Sequence, residues 1–159
     1  MKKLIVIALA VVMAFAVVAF AACGVSGEAD GEYSYNHPYA PDSGAKYGAK
    51  VHLTVKNGVI TALTVEADTD TFFNLTSTWT EAGKKTWNDN KDAFVQSFIG
   101  LKISDVKAIK VACAENGVPN ENGITEFPAT LKVVTGCTQS SGRIILAVQD
   151  AISKLEAAK

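Results

Sequence analysis

Residues 134–143 read Val-Thr-Gly-Cys-Thr-Gln-Ser-Ser-Gly-Arg. Four hydroxyls (Thr135, Thr138, Ser140, Ser141), two glycines and one thiol fall between an apolar strand-like run at 129–134 and a helix-like run at 143–156. A chain that turns sharply through glycine into a helix start can bind a phosphate. The first amides of a helix have no intrahelical partner, and the helix dipole places partial positive charge there. Gly136 lets backbone pass close to a ligand, and Cys137 adds only a small side chain. A structural reading is equally open: Ser140 or Ser141 caps the helix, and Gly136 turns the chain.

The elements that must hold this stretch are legible in part. Asn57-Gly58 between two apolar, β-branched runs predicts a hairpin with a type I′ turn, pairing Lys56 with Val59 and Val55 with Ile60. In that register Val51, Leu53, Val55, Ile60 and Ala62 share one face. His52, Thr54 and Lys56 share the other with Leu63, Thr61 and Val59. The second strand is thus apolar on both faces, which predicts a sheet covered on both sides. Residues 34–48, with Tyr35, Tyr39, Tyr47, Pro38 and Pro41, predict an irregular loop or broken strands. Asn88 or Asp89 is placed to cap a helix carrying Phe94, Val95, Phe98 and Ile99 and stopped by Gly100. Ser104-Asp105-Val106 begins a further helical turn, 109–113 reads as a strand, and Glu115-Asn116-Gly117 as a turn. An Asn-, Gly- and Pro-rich loop follows. The stripe Ile144, Ile145, Val148, Ile152 and Leu155 gives the C-terminal helix a core face. The class is α+β: a small antiparallel sheet with a central hairpin, packed with helices that include a C-terminal one.

The 159 residues suit one domain, 30–159. Ahead of it, Lys2 and Lys3 precede a charge-free apolar run at 4–22, the layout of an export signal. Ala21-Ala22-Cys23 then resembles a bacterial lipobox, which implies cleavage before Cys23, its lipidation, and a short tether at 23–29. Uncut, the run is long enough to span a membrane, and Ala19-Phe20-Ala21 would suit ordinary signal peptidase. All three fates place the domain outside the cytoplasm. Removing Lys2 and Lys3 with the signal takes the formal charge from −1 to −3. No basic cluster remains, so nucleic-acid binding has no electrostatic support.

Thr135-Gly136-Cys137-Thr138-Gln139-Ser140-Ser141 resembles the flavin-attachment motif of the FMN-binding domain family. That family includes the FMN-carrying subunits of sodium-pumping NADH:quinone reductases and extracellular electron-transfer lipoproteins. Asp30-Gly31-Glu32-Tyr33 resembles the family's opening, and the Asn-Gly hairpin and the helix end at Phe98-Ile99-Gly100 also correspond. Cys137 stands where the family has alanine, and Lys132 where it has aspartate. The resemblance implies a membrane-anchored, extracytoplasmic flavoprotein with FMN attached to Thr138 by a phosphoester. Thr135, Gly136, Cys137, Ser140 and Ser141 would form the surrounding site. It further implies a flavin transferase as partner, with unidentified electron donor and acceptor, and an electron carrier more than an enzyme, since redox chemistry belongs to the cofactor. The competing expectation is a lipoprotein binding module that holds FMN or another phosphate-bearing ligand non-covalently.

Several other residues carry less. Cys113 and Cys137 would be permitted a disulfide outside the cytoplasm, but two separate small core residues is the preferred expectation. His37 and His52 lack metal-ligand spacing. No nucleophile elbow is present, so no catalytic residue is assigned. Trp79, Trp87, Phe72, Phe73 and the tyrosines are expected in the core before they are expected against a flavin ring.

Overall fold

A computed structural model describes residues 24–36, 46–66 and 80–158. The signal run, Cys23, His37, Phe72, Phe73 and Trp79 lie outside them. The described chain is α+β. A three-stranded antiparallel sheet runs in the order β1 (Gly27–Asn36), β2 (Lys46–Lys56), β3 (Val59–Val65). Helices α1 (Glu81–Gln96) and α2 (Ile103–Ala108) follow. A second antiparallel pair, β4 (Lys110–Cys113) and β5 (Pro119–Thr125), precedes α3 (Thr138–Ala157).

The hairpin forms as the Asn-Gly pair dictates: Asn57 and Gly58 both have positive φ, 53° and 75°, as a type I′ turn requires. Lys56 pairs with Val59 and Val55 with Ile60, but the register then slips, so that Thr54 pairs with Ala62 and Leu53 with Leu63. Thr61 is the extra residue of a bulge, and its hydroxyl donates to the Thr54 carbonyl. This corrects the uniform register expected from the sequence. Ile60 and Leu63 are three residues apart and can share the core face only if the strand bulges between them. Leu63 is accordingly buried, whereas Ala62 is exposed.

The expected cover on both faces is not found among the described residues. His52, Lys56, Ala62 and Thr64 are exposed, while Val51, Leu53, Val55 and Ile60 on the other face are buried. That inner face packs against α3, whose Ile144, Ile145, Ala147, Val148, Ala151 and Ile152 are fully buried. Contact with β1 is closest at Gly31: a Cβ there would lie 2.0 Å from the Ala147 carbonyl oxygen. Beside it, the Glu32 N–H donates to Asp150 Oδ2 at 2.9 Å. The glycine of the opening tetrapeptide is thus explained by helix–sheet contact. The stretch expected to be loop or tether contributes to the sheet: Gly27 to Ala29 pair with Val55 to Leu53, and Ser34 to Asn36 pair with Gly48 to Lys46.

Helix α1 starts eight or nine residues earlier than a cap at Asn88 or Asp89 would set it. Thr80 caps it, its Oγ1 accepting from the Gly83 N–H at 3.1 Å, and Asn88 and Asp89 lie exposed inside it. Trp87, Phe94 and Phe98 are buried and meet ring to ring. Ile99, expected on that apolar face, is exposed. Gly100, at φ 89°, turns the chain so that its N–H bonds Ile60 O, while the Ile60 N–H bonds Leu101 O. Gln149 of α3 donates to the carbonyls of Val106 and Ile109, which end α2.

Candidate functional site

The approach to the hydroxyl-rich stretch is not the strand expected at 129–134. Its amides bond to turns and side chains instead of a neighbouring strand: Leu131 N to Pro128 O, Lys132 N to Ser97 Oγ, Val134 N to Ser141 Oγ. Pro128 and these local partners leave no ladder for a strand to join. Buried Leu131 and Val134 anchor the segment to the core. The Cys137 N–H then donates to Val134 O at 3.0 Å, with Gly136 at φ 78° in the third position of the turn. This is the glycine placement of a type II turn. A Cβ at Gly136 would meet nothing within 4 Å; its backbone conformation, not crowding, makes glycine the fitting residue.

Helix α3 begins at Thr138, five residues before the expected start, with Cys137 in the capping position and no side-chain cap. Neither Ser140 nor Ser141 caps it. The Ser140 and Ser141 amides both bond Cys137 O at 3.1 Å. The donors left without a partner among the described residues are the amides of Thr138 and Gln139. No acidic side chain occupies the first turn to offset the dipole.

The two serines face inward. Ser141 Oγ donates to Cys137 O and accepts from the Val134 N–H, each at 3.3 Å, so it ties the incoming loop to the helix. Ser140 Oγ accepts from Arg143 Nη2 at 2.7 Å, and the buried guanidinium sits 5.8 Å above the Tyr47 ring. Burial lowers the pKa of Arg143 while Tyr35 and Tyr47 oppose the shift; the group stays a cation. Cys137 is buried, its thiol pushed up by desolvation and directed at Gly83 O, 3.8 Å away.

An open cleft of about 410 Å³ gathers Thr135, Gly136, Cys137, Thr138, Gln139 and Ser140 on one side, and Glu121 and Asn122 of β5 on the other. Five of the six residues expected to bind cofactor therefore line one space, and Ser141 alone stands behind it. The Thr138 side chain is half-buried, and its hydroxyl has no hydrogen-bond partner among the described residues. Lys132 is exposed and lines a different concavity with Thr86, Asn90 and Thr135. Glu121 and Asn122 were not foreseen because 119–125 looks like a loop. Its strand character comes from pairing with β4 and from the tight seat of Gly142 against Pro119, where a Cβ would come within 2.9 Å.

Cys113 and Cys137 are free thiols, as preferred. Tyr33 donates its hydroxyl to Gly117 O at 2.7 Å, with Cys113 Sγ 3.6 Å away; burial first, then that sulfur, raises its pKa. Trp87, Tyr35 and Tyr47 are core residues, and among the described residues no aromatic or basic side chain lines the cleft. His52 bonds Asp30 on the exposed sheet face. Among the described residues no group of three or more metal-ligating side chains is placed to hold an ion, and no helix is long and apolar enough to cross a membrane.

Comparison of the chain with protein families, with curated proteins and with solved structures finds no match.

Proposed function

We propose that this chain is an exported, lipid-anchored flavoprotein that carries electrons through FMN joined to Thr138 by a phosphoester. One observation carries the reading: Thr138 opens an uncapped 20-residue helix and lines a cleft, and its hydroxyl, its own amide and that of Gln139 have no partner among the described residues. A phosphoester at Thr138 Oγ1 places its charged oxygens beside those amides and the helix dipole, where an anion is favoured. The helix side of the cleft fits the phosphate, while Glu121 on the other side carries like charge. Gly136 leaves open space beside the phosphate, and Ser140, held by Arg143, completes the wall. FMN supplies one- and two-electron chemistry when bound, and the protein's part is to hold and expose it. The polar cleft suits a ring left accessible to redox partners, because none of the described residues that line it is aromatic.

The hydroxyl-bearing residue is separable from its neighbours by mutation. The full chain is produced beside a magnesium-dependent flavin transferase with FAD as donor, and intact mass and a digest locate the modification. One FMN on Thr138 is expected. Thr138→Val keeps the shape and should abolish attachment, whereas Thr138→Ser should retain some. FMN on Thr135, Ser140 or Ser141 refutes the assignment. Unmodified protein under these conditions favours the binding module that holds FMN or another phosphate-bearing ligand non-covalently.

A further inference from the structure

Gly24, where the described chain begins, lies on the turn of the β2–β3 hairpin: a Cβ there would come within 2.5 Å of the Asn57 carbonyl carbon. The contact continues into β1. The Gly58 N–H donates to Val25 O at 2.7 Å, and the Asn57 N–H to Ser26 Oγ at 2.8 Å. Cys23 is one peptide bond further back, and consecutive Cα atoms are about 3.8 Å apart. Wherever Cys23 is held, the hairpin turn is held beside it. That turn carries positive charge. Lys56 pairs with Val59, and Val59 bridges to Lys102, so the three stand in one row on the exposed face of the sheet. Both lysines are exposed. Of the carboxylates nearby, Glu28 is turned to His52 and Glu156 to Lys107, while Asp105 sits in the first turn of α2. The opposite pole is the other end of α3. Leu155 packs under the start of β1, where a Cβ at Gly27 would lie 2.9 Å from Leu155 Cδ1. Thr138, the first residue of the same helix, is about 25 Å away along the axis at a rise of about 1.5 Å per residue.

We infer that the hairpin turn is the face this domain presents to the membrane, with Lys56 and Lys102 against anionic phospholipid headgroups and the Thr138 pole directed outward. The inference rests on the lipid anchor at Cys23 proposed above and needs no flavin. Two lysines are too few to hold a protein on a bilayer, since each contributes only modestly near an anionic surface. The anchor supplies attachment, and the lysines select the orientation. The surface potential falls off within a Debye length, about 8 Å at physiological salt. It therefore acts on the turn and not on the far pole.

The test uses the full chain produced in a lipoprotein-processing bacterium, with the mass of its N-terminal peptide establishing the lipid on Cys23. The protein is added to the outside of preformed vesicles, either phosphatidylcholine alone or phosphatidylcholine mixed with phosphatidylglycerol. An uncharged amine reagent then acylates it at fixed pH and physiological salt, and a digest gives the rate at each lysine. An anionic surface favours the protonated amine, which does not react. Lys56 and Lys102 should therefore react about fivefold more slowly on the mixed vesicles than on the neutral ones, the factor for one lysine at such a surface. Lys132, exposed and beside Thr135 at the far pole, should react alike on both. Lys56 and Lys102 reacting alike on the two vesicles, or Lys132 slowed as much as they are, overturns the orientation and leaves the lipid anchor standing. An N-terminal peptide without lipid on Cys23 overturns both.

Discussion

Gly31 is where the sheet and the C-terminal helix come closest, and replacing it with alanine tests that packing directly. The added Cβ would lie 2.0 Å from Ala147 O and 2.7 Å from both the Ala151 nitrogen and its Cβ. Two of these three atoms are backbone, so no side chain can swing away. Ordinary contact begins near 3.4 Å, so α3 must retreat by about 1.4 Å or β1 must bend outward. A radial gap of even about 0.5–1 Å forfeits a quarter to a half of the dispersion energy across it. Here that gap would open between the sheet and fully buried Ala147, Val148, Ala151 and Ile152. The hydrogen bond from the Glu32 N–H to Asp150 would stretch with it. Overpacking usually costs about 1–3 kcal/mol, and backbone neighbours put this site at or above about 3 kcal/mol. With a urea slope of about 2 kcal/mol/M, the unfolding midpoint should fall by about 1.5 M. Gly58→Val is the matched control: its Cβ meets nothing within 4 Å, and only the φ of 75° is strained. It should cost on the order of 1–2 kcal/mol. If Gly31→Ala unfolds at the wild-type midpoint, α3 does not lie against β1 as described.

Three further outcomes are expected. The His52 pKa lies above its ordinary value, raised chiefly by the hydrogen bond its ring N–H donates to Asp30; its contribution to stability is fully present below the unfolded pKa and fades as pH rises through the folded one. Proton NMR should show Asp30→Asn bringing the His52 midpoint down, and an unmoved midpoint would remove Asp30 as the cause. Thiol titration of denatured, unreduced protein should find Cys113 and Cys137 both reactive, and a count of none would mean a bridge. Cys23→Ala should release the domain from membranes or stall its processing; identical fractionation and migration of mutant and wild type would end the lipoprotein assignment.

Local signals with a single physical meaning were legible in the sequence. Asn57-Gly58 specifies its turn because both positions must take positive φ. The stripe from Ile144 to Leu155 specifies a buried helix face because its period is helical. What failed was the position of starts and strands that depend on distant partners. Thr80 outcompeted Asn88 and Asp89 as the cap because Trp87, about two turns further on, needed burial, which carries the helix back past the polar stretch. The bulge at Thr61 follows from Ile60 and Leu63 both being buried in the core, a demand invisible to a turn rule applied to the hairpin alone.

The site shows the same division. Its residues were readable because hydroxyls and glycines around a helix start have few uses, and five of the six named do line one cleft. Which amides are free was not readable. Counting from a capping serine puts the donors near Gly142, yet the Ser140 and Ser141 amides are spent on Cys137 O. The helix starts at Thr138 because Ser141 holds the loop through Val134 while Ser140 is drawn inward by Arg143, leaving neither hydroxyl free to cap. Moving the start back by five residues shifts the unpaired donors onto Thr138 itself. The residue with the accessible hydroxyl thereby becomes the residue with the free amide. Thr138→Ser should preserve that coincidence, and shortening the helix from its first turn should destroy it.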